Sequence, residues 1–221
     1  MPASAARSAA RTPRLRPYAG ALSDPQERAA RHALLRDAVH TAPIRALAQR
    51  IREATGRPVP EPDPLDGGAE ARLLLLLETP GPRMMEDSIV SRDKPGGTGA
   101  NLRRFLDAAR IPRRETLIWN AVPWMIHVPG ALNRAPRAAE LRFGLAWIPP
   151  LLDAMPRLRV AVLAGRVAAE AGPAIRSVRP GLSVLAMPHP SPTYVCTSPE
   201  VPARIMVTLK EAAARLRGEA S

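Results

Sequence analysis

Leu182-Ser-Val-Leu-Ala-Met-Pro-His-Pro-Ser-Pro-Thr-Tyr194 joins an apolar run of strand length to a loop stiffened by three prolines. Each proline fixes φ near −65° and removes a backbone donor. The segment from Pro188 onward is therefore neither a helix interior nor a central strand. Its imidazole, His189, is one of only four in the chain. A stiff loop at the carboxyl end of a buried strand, carrying a titratable ring, is where open α/β sheets place their chemistry. The bland alternative is a proline-rich connector whose histidine simply faces water.

Upstream of that stretch the chain alternates between strand and helix patterns. Apolar runs predict strands over 71–78, 115–119, 158–164 and 182–187, and helical spacing predicts helices over 99–109, 136–155, from Arg166, and over 199–216. Strands separated by helices imply a parallel sheet covered on both faces. The expected fold is α/β: a three-layer α/β/α sandwich with a central four-stranded parallel sheet. Asp24-Pro25 reads as N-cap and first turn of an earlier helix carrying Ala29, Ala33, Leu34 and Val39 at helical spacing. A second helix is expected over 43–54, and 57–68, with four prolines and two glycines, reads as a linker. The expected organisation is a flexible basic N-terminal arm or loosely docked extension (1–22), a helical segment with linker (23–68), and a catalytic core (69–221).

With 221 residues the chain is long enough to bury a substantial core. Thirty-two Lys and Arg against twenty Asp and Glu give a net charge of +12, which favours a polyanionic partner, nucleic acid ahead of an anionic membrane surface. A composition bias toward Ala, Pro and Arg is the competing explanation. One cysteine, Cys196, excludes an intramolecular disulfide, a Cys-rich zinc site and a four-cysteine iron–sulfur cluster. The histidines show no ligand spacing, so neither a metal nor another cofactor is expected. No apolar run reaches membrane-span length, and no secretory h-region precedes Tyr18. The expectation is a cytoplasmic, bacterial-type monomer, with an Arg-bearing transit peptide as the minor alternative.

In a parallel sheet the loops after successive strands gather on one rim. Leu77-Glu-Thr-Pro-Gly-Pro-Arg83 follows the first strand, Trp119-Asn-Ala-Val-Pro-Trp124 the second, and His-Pro-Ser-Pro the last. A carboxylate, an amide and an imidazole are thus expected at one edge. Together these motifs resemble the uracil-DNA glycosylase superfamily. Leu77-Glu78-Thr79-Pro80-Gly81 stands where that family has Gly-Gln-Asp-Pro-Tyr or Gly-Glu-Ala-Pro-Gly. Leu117-Ile-Trp-Asn120 resembles its central strand ending in Asn, and His189-Pro190-Ser191-Pro192 matches its closing motif. Order and spacing agree over roughly residues 70–216.

The resemblance implies that His189 stabilises charge developing on a uracil carbonyl. It implies that Asn120 reads the base, its amide offering one acceptor and one donor side by side to N3–H and O4. Either Glu78 or the Thr79 hydroxyl is able to hold the attacking water, with Glu78 favoured. Gly81 falls where the most familiar branch uses tyrosine to exclude thymine, so that exclusion must come from elsewhere or be weaker. The window that carries the family's stacking aromatic reads Asp87-Ser-Ile-Val-Ser-Arg-Asp93. Ser91 and Arg92 are taken there as base contacts, with Arg92 or Ile89 covering the base. For DNA, Ser191, Pro192, Thr193 and the Lys94–Gly99 loop with Gly97 are candidate backbone contacts, and Tyr194 is the candidate wedge. His127 sits near where one branch carries a covalently reacting histidine, but the basic run before it is missing. Trp119 and Trp124 read as packing residues.

The expected function is therefore base excision repair: uracil is flipped from single- or double-stranded DNA and its N-glycosidic bond hydrolysed to leave an abasic site. A nucleoid-associated place in the bacterial cytoplasm follows from such a substrate. A glycosylase for another deaminated base, hypoxanthine or xanthine, and a non-catalytic DNA-binding relative stand as the alternatives.

Overall fold

The structure, a computed structural model, describes residues 20–81, 89–127 and 134–219. The expected arm falls outside these for residues 1–19. Gly20 to Ser23 are described, with Ala21 and Leu22 buried.

The N-terminal segment holds α1 (Pro25–Asp37) and α2 (Ala42–Thr55). Asp24 caps α1 as expected, its carboxylate accepting from the Gln26 N–H at 2.8 Å, with Pro25 in the first turn. The buried face of α1 differs from the apolar spacing, because Glu27, Arg31 and Leu35 turn inward while Val39, beyond its end, is exposed. Long polar side chains go inside only when paired, and Arg31 meets two carboxylates there.

The proline-rich stretch 57–68 is more than a linker. It contributes β1 (Glu61–Pro62), and after β2 (Leu73–Leu77) comes β3 (Ile89–Val90), which pairs with β1 in parallel. The core then runs through α3 (Gly97–Ala108), β4 (Thr116–Asn120), α4 (Ala138–Leu145) and α5 (Ile148–Asp153). It closes with β5 (Val160–Ala164), α6 (Arg166–Ala169), α7 (Gly172–Val178), β6 (Ser183–Met187), α8 (Pro192–Val195) and α9 (Glu200–Arg217). The single helix expected over 136–155 is two. Pro149 and Pro150 in the opening turn of α5 have no N–H to continue the ladder from α4, so the chain breaks at Ala146–Trp147.

The main sheet is four-stranded and wholly parallel, in the order β4-β2-β5-β6. The alternation of side chains along each strand splits the core into two. Leu74, Leu76, Leu117, Trp119, Ala161 and Leu163 pack under α2, α5 and α7. Leu73, Leu75, Ile118, Val160 and Val162 pack under α3 and α9. This is the α/β/α sandwich expected, with Trp119 and Trp124 in its first core.

Seven charged side chains lock the N-terminal segment onto this body. Arg31 is fully buried and bonds Asp63 and Asp93, each at 2.6 Å. Arg113 reaches Asp63 at 2.7 Å, Asp66 at 2.8 Å and Asp93 at 2.8 Å. Arg103 from α3 also pairs with Asp93, and Arg92 lies 3.9 Å from Asp66. Pairing of this kind lets charges sit in the interior at all.

Candidate active site

The register of the sheet puts three loops on one rim. Leu77 lies opposite Asn120, and Ala164 lies opposite Met187, so Glu78, Asn120, Gly165 and His189 all sit at the carboxyl ends of neighbouring strands. The first two loops are stitched together directly, Ala121 N–H donating to the Leu77 carbonyl at 2.8 Å and Val122 N–H to that of Glu78 at 3.0 Å.

These ends surround a cavity of about 390 Å³. Glu78, Thr79, Gly81, Ser91, Lys94, Gly97, Asn120, His189, Ser191, Thr193 and Tyr194 line it. Arg92, Pro192, Ile89 and His127, also named from the sequence, do not. Arg92 is buried and directed at Asp66, away from the cavity, because a desolvated guanidinium needs a carboxylate more than it needs a neutral base. Pro192 opens α8 and stays on the outside. Ile89 is also buried elsewhere, against Leu22 and Leu35. The apolar wall is made by Leu77, Val90, Leu102 and Ile118 instead. Leu77, Val90 and Ile118 lie inside the stretches quoted above without a role assigned to them, and Leu102 lies outside those stretches; only the knowledge of which strand face meets α3 would have found them.

His189 is held from two sides. The Ser191 N–H donates to its Nδ1 at 3.2 Å, so a neutral ring carries its proton on Nε2. Burial pushes the imidazole below its ordinary pKa, which keeps it neutral near pH 7. The Asn101 amide donates to the Pro190 carbonyl at 2.9 Å, tying the His loop to α3. On the other side stands Gly165, with φ of 87°, where an added Cβ would come within 3.0 Å of the His189 Cβ. Gly165 was not singled out from sequence, although a glycine between a strand and a helix is a usable signal for close approach.

Asn120 is buried at the end of β4. Glu78 is half-buried one residue beyond β2, and burial raises its pKa while Arg166 at the start of α6 partly offsets the rise. Tyr194 is half exposed at the mouth, its ring centroid 6.2 Å from that of His189. His127 does not line the cavity; it is buried near Arg134 and Glu140, and burial lowers its pKa. Among the described residues no group of His, Cys, Asp and Glu is arranged to hold a metal ion, and no helix is long and apolar enough to cross a membrane.

A parallel α/β/α sandwich with a polar-and-apolar crevice at the carboxyl ends of its strands, lined by an imidazole, an amide and a carboxylate, has its candidate ligand site where open α/β sheets place theirs. The family model of the uracil DNA glycosylase superfamily matches residues 64–210, and the chain belongs to that superfamily. Membership implies DNA glycosylase-type activity on a DNA substrate. No curated protein matches the chain.

Proposed function

We propose that the protein excises uracil from DNA as a monofunctional glycosylase, leaving an abasic site. The observation that carries this reading is the Ser191–His189 bond, which places a neutral N–H donor in the same cavity as Asn120 and Glu78. Breaking the glycosidic bond leaves cationic character on the sugar and negative charge on the uracil oxygens. A preorganised neutral donor at a uracil carbonyl lowers that barrier at no cost in reorganisation. The Asn120 amide offers an acceptor to N3–H and a donor to O4; cytosine presents the reverse pattern and leaves both mispaired, at about 1–3 kcal/mol per group. Glu78 takes the water. Its pKa, raised by burial, makes it a stronger base than a solvated carboxylate. Tyr194 at the mouth fills the space that the flipped base leaves.

A second reading, a glycosylase for another deaminated base, is favoured by Gly81. Among the described residues nothing stands within 4 Å of where its Cβ would be, so no described side chain there walls off a larger base.

The deciding assay uses labelled single and double strands carrying uracil, hypoxanthine or xanthine, with the His189→Ala and Asn120→Ala proteins as controls. Uracil excision that drops in both variants is expected. Excision of a purine but not uracil selects the second reading. Binding without cleavage of any of the three indicates a non-catalytic relative.

A further inference from the structure

The cavity wall formed by residues 90–95 is held from behind by side chains that precede the region matched by the family model. Ile89 and Val90 are neighbours on a short strand, so their side chains point to opposite sides. Val90 lines the cavity, as Ser91 does after it, while Ile89 turns away and packs against Leu22 and Leu35. The backbone of β3 runs beside β1, with Glu61 opposite Ile89 and Pro62 opposite Val90. A little further on, the Leu22 N–H donates to the Asp93 carbonyl at 3.2 Å, and fully buried Arg31 bonds the Asp93 carboxylate at 2.6 Å. Lys94 and Pro95, next in the chain, line the cavity again.

Leu22, Arg31, Leu35, Glu61 and Pro62 all lie outside residues 64–210. The matched region supplies Arg103 and Arg113 to Asp93. The preceding segment supplies Arg31, the strand partner of β3 and the apolar seat of Ile89. We infer that this segment is a buttress for the cavity: α1 and β1 set the position of the Val90–Ser91 wall against the seated base, with Arg31 and Leu35 as positioning residues. The inference rests on the reading that this cavity receives a base from DNA.

The physics says which step the buttress governs. A two-stranded pair is marginal on its own, so β1 and β3 keep their place through what packs on them. Val90 holds a base by contact, and a gap of about 0.5–1 Å forfeits about a quarter to a half of a contact's dispersion attraction. A small retreat of the wall therefore loosens the base. Glu78, Asn120 and His189 stand at the ends of β2, β4 and β6, in the other sheet, and keep their places. Loss of the buttress thus weakens seating of the base and spares the chemical step.

The test uses the full chain with Leu35→Ala and with Arg31→Met. Leu47→Ala is the control, since Leu35 and Leu47 are each 3% exposed but Leu47 packs in the core under the other face of the main sheet. Single-turnover excision from a uracil-containing duplex at increasing enzyme concentration gives a half-saturation concentration and a plateau rate. Both test variants are expected to raise the half-saturation about two- to thirtyfold, with the plateau rate unchanged. Leu35→Met, which conserves volume, is expected to restore the wild-type value. Leu47→Ala is expected to lower the denaturation midpoint without moving the half-saturation. Wild-type half-saturation in both test variants overturns the buttress, and so does an equal rise in Leu47→Ala. Amide hydrogen exchange over residues 89–97 needs no substrate: faster exchange in Leu35→Ala than in Leu47→Ala supports the buttress, and equal exchange overturns it. A wild-type chain that excises no base refutes the proposed reaction, and the exchange result then decides the buttress separately.

Discussion

Ser191 donates its backbone N–H to Nδ1 of His189 across 3.2 Å, and this bond fixes Nε2 as the nitrogen that carries the proton of the neutral ring. The donor is neutral because burial holds the imidazole below its ordinary range. Replacing His189 by Ala is expected to slow single-turnover excision of uracil by about 10²–10³-fold, the usual worth of one preorganised donor. His189→Gln, whose amide is also a neutral donor, is expected to recover part of the loss. Rapid-quench cleavage at saturating enzyme reads both; equal rates for wild type and Ala end the assignment.

In the proposed reaction Glu78 is ionised to hold water, and His189 is neutral so that its Nδ1 accepts from the Ser191 N–H. Both conditions fail on the acid side: Glu78 protonates as pH falls through a pKa raised by burial, and His189 protonates below a pKa lowered by burial. The log rate of the wild type is expected to fall toward low pH with a slope approaching two. Glu78→Gln is expected to fall with a slope of one from a plateau lower by about 10²–10⁴-fold. A Glu78→Gln profile that overlays the wild type would assign the water to another group, with Thr79→Val as the next substitution to measure.

Gly165 combines a φ of 87° and a ψ of 175°, a conformation essentially reserved for glycine, with a 3.0 Å approach to the His189 Cβ. Gly165→Ala is therefore expected to cost about 1–3 kcal/mol from the backbone conformation alone. It is also expected to slow excision, because the His loop must move for the methyl to fit. Chemical denaturation and single-turnover kinetics on the same sample separate the two effects. A stable Ala variant with wild-type rate contradicts the packing described.

Arg31 is one of two cations that Asp63 and Asp93 share, at 2.6 Å on each side, Arg113 being the other. Removing one partner of a buried pair typically costs about 3–5 kcal/mol, since the other charge is left uncompensated. Arg31→Ala is expected to lower the urea midpoint by that order. An unchanged midpoint would mean that the cluster rearranges around Arg113.

Asp66 is buried deeply enough that desolvation outweighs Arg113 and Arg92, pushing its pKa up to about 7. The unfolded value is near 4, so between about pH 4 and 7 the folded chain holds a proton that the unfolded chain has released. This group's contribution to stability is then present below pH 4 and is lost as pH rises to about 7, with a steepest slope of about 1.4 kcal/mol per pH unit. Asp66→Asn mimics the protonated acid, so its stability relative to wild type is expected to improve over that window and stay constant above it. The opposite trend would show that the arginines dominate over burial.

How much was legible beforehand varied with the kind of interaction. Four runs such as Leu73–Leu77 and Val160–Ala164 announced a buried parallel sheet, because strands covered on both faces are apolar throughout. The three rim loops followed from strand direction alone. Arg92 was misread as a base contact, and 57–68 as a linker, because nothing local says where a buried ion pair closes. Asp63 and Asp93 are 32 and 62 residues from the arginine they share.

By itself the sequence determined the order of strands and helices and delivered Glu78, Asn120 and His189 to one edge, since periodicity and chain direction are local properties. The tertiary structure alone decided the tautomer of His189, the glycine that makes room for it, the aliphatic wall of the cavity and the burial of the Arg31 cluster. Each of these depends on desolvation and on distances between segments far apart in the chain, and such energies exist only once the layers have packed.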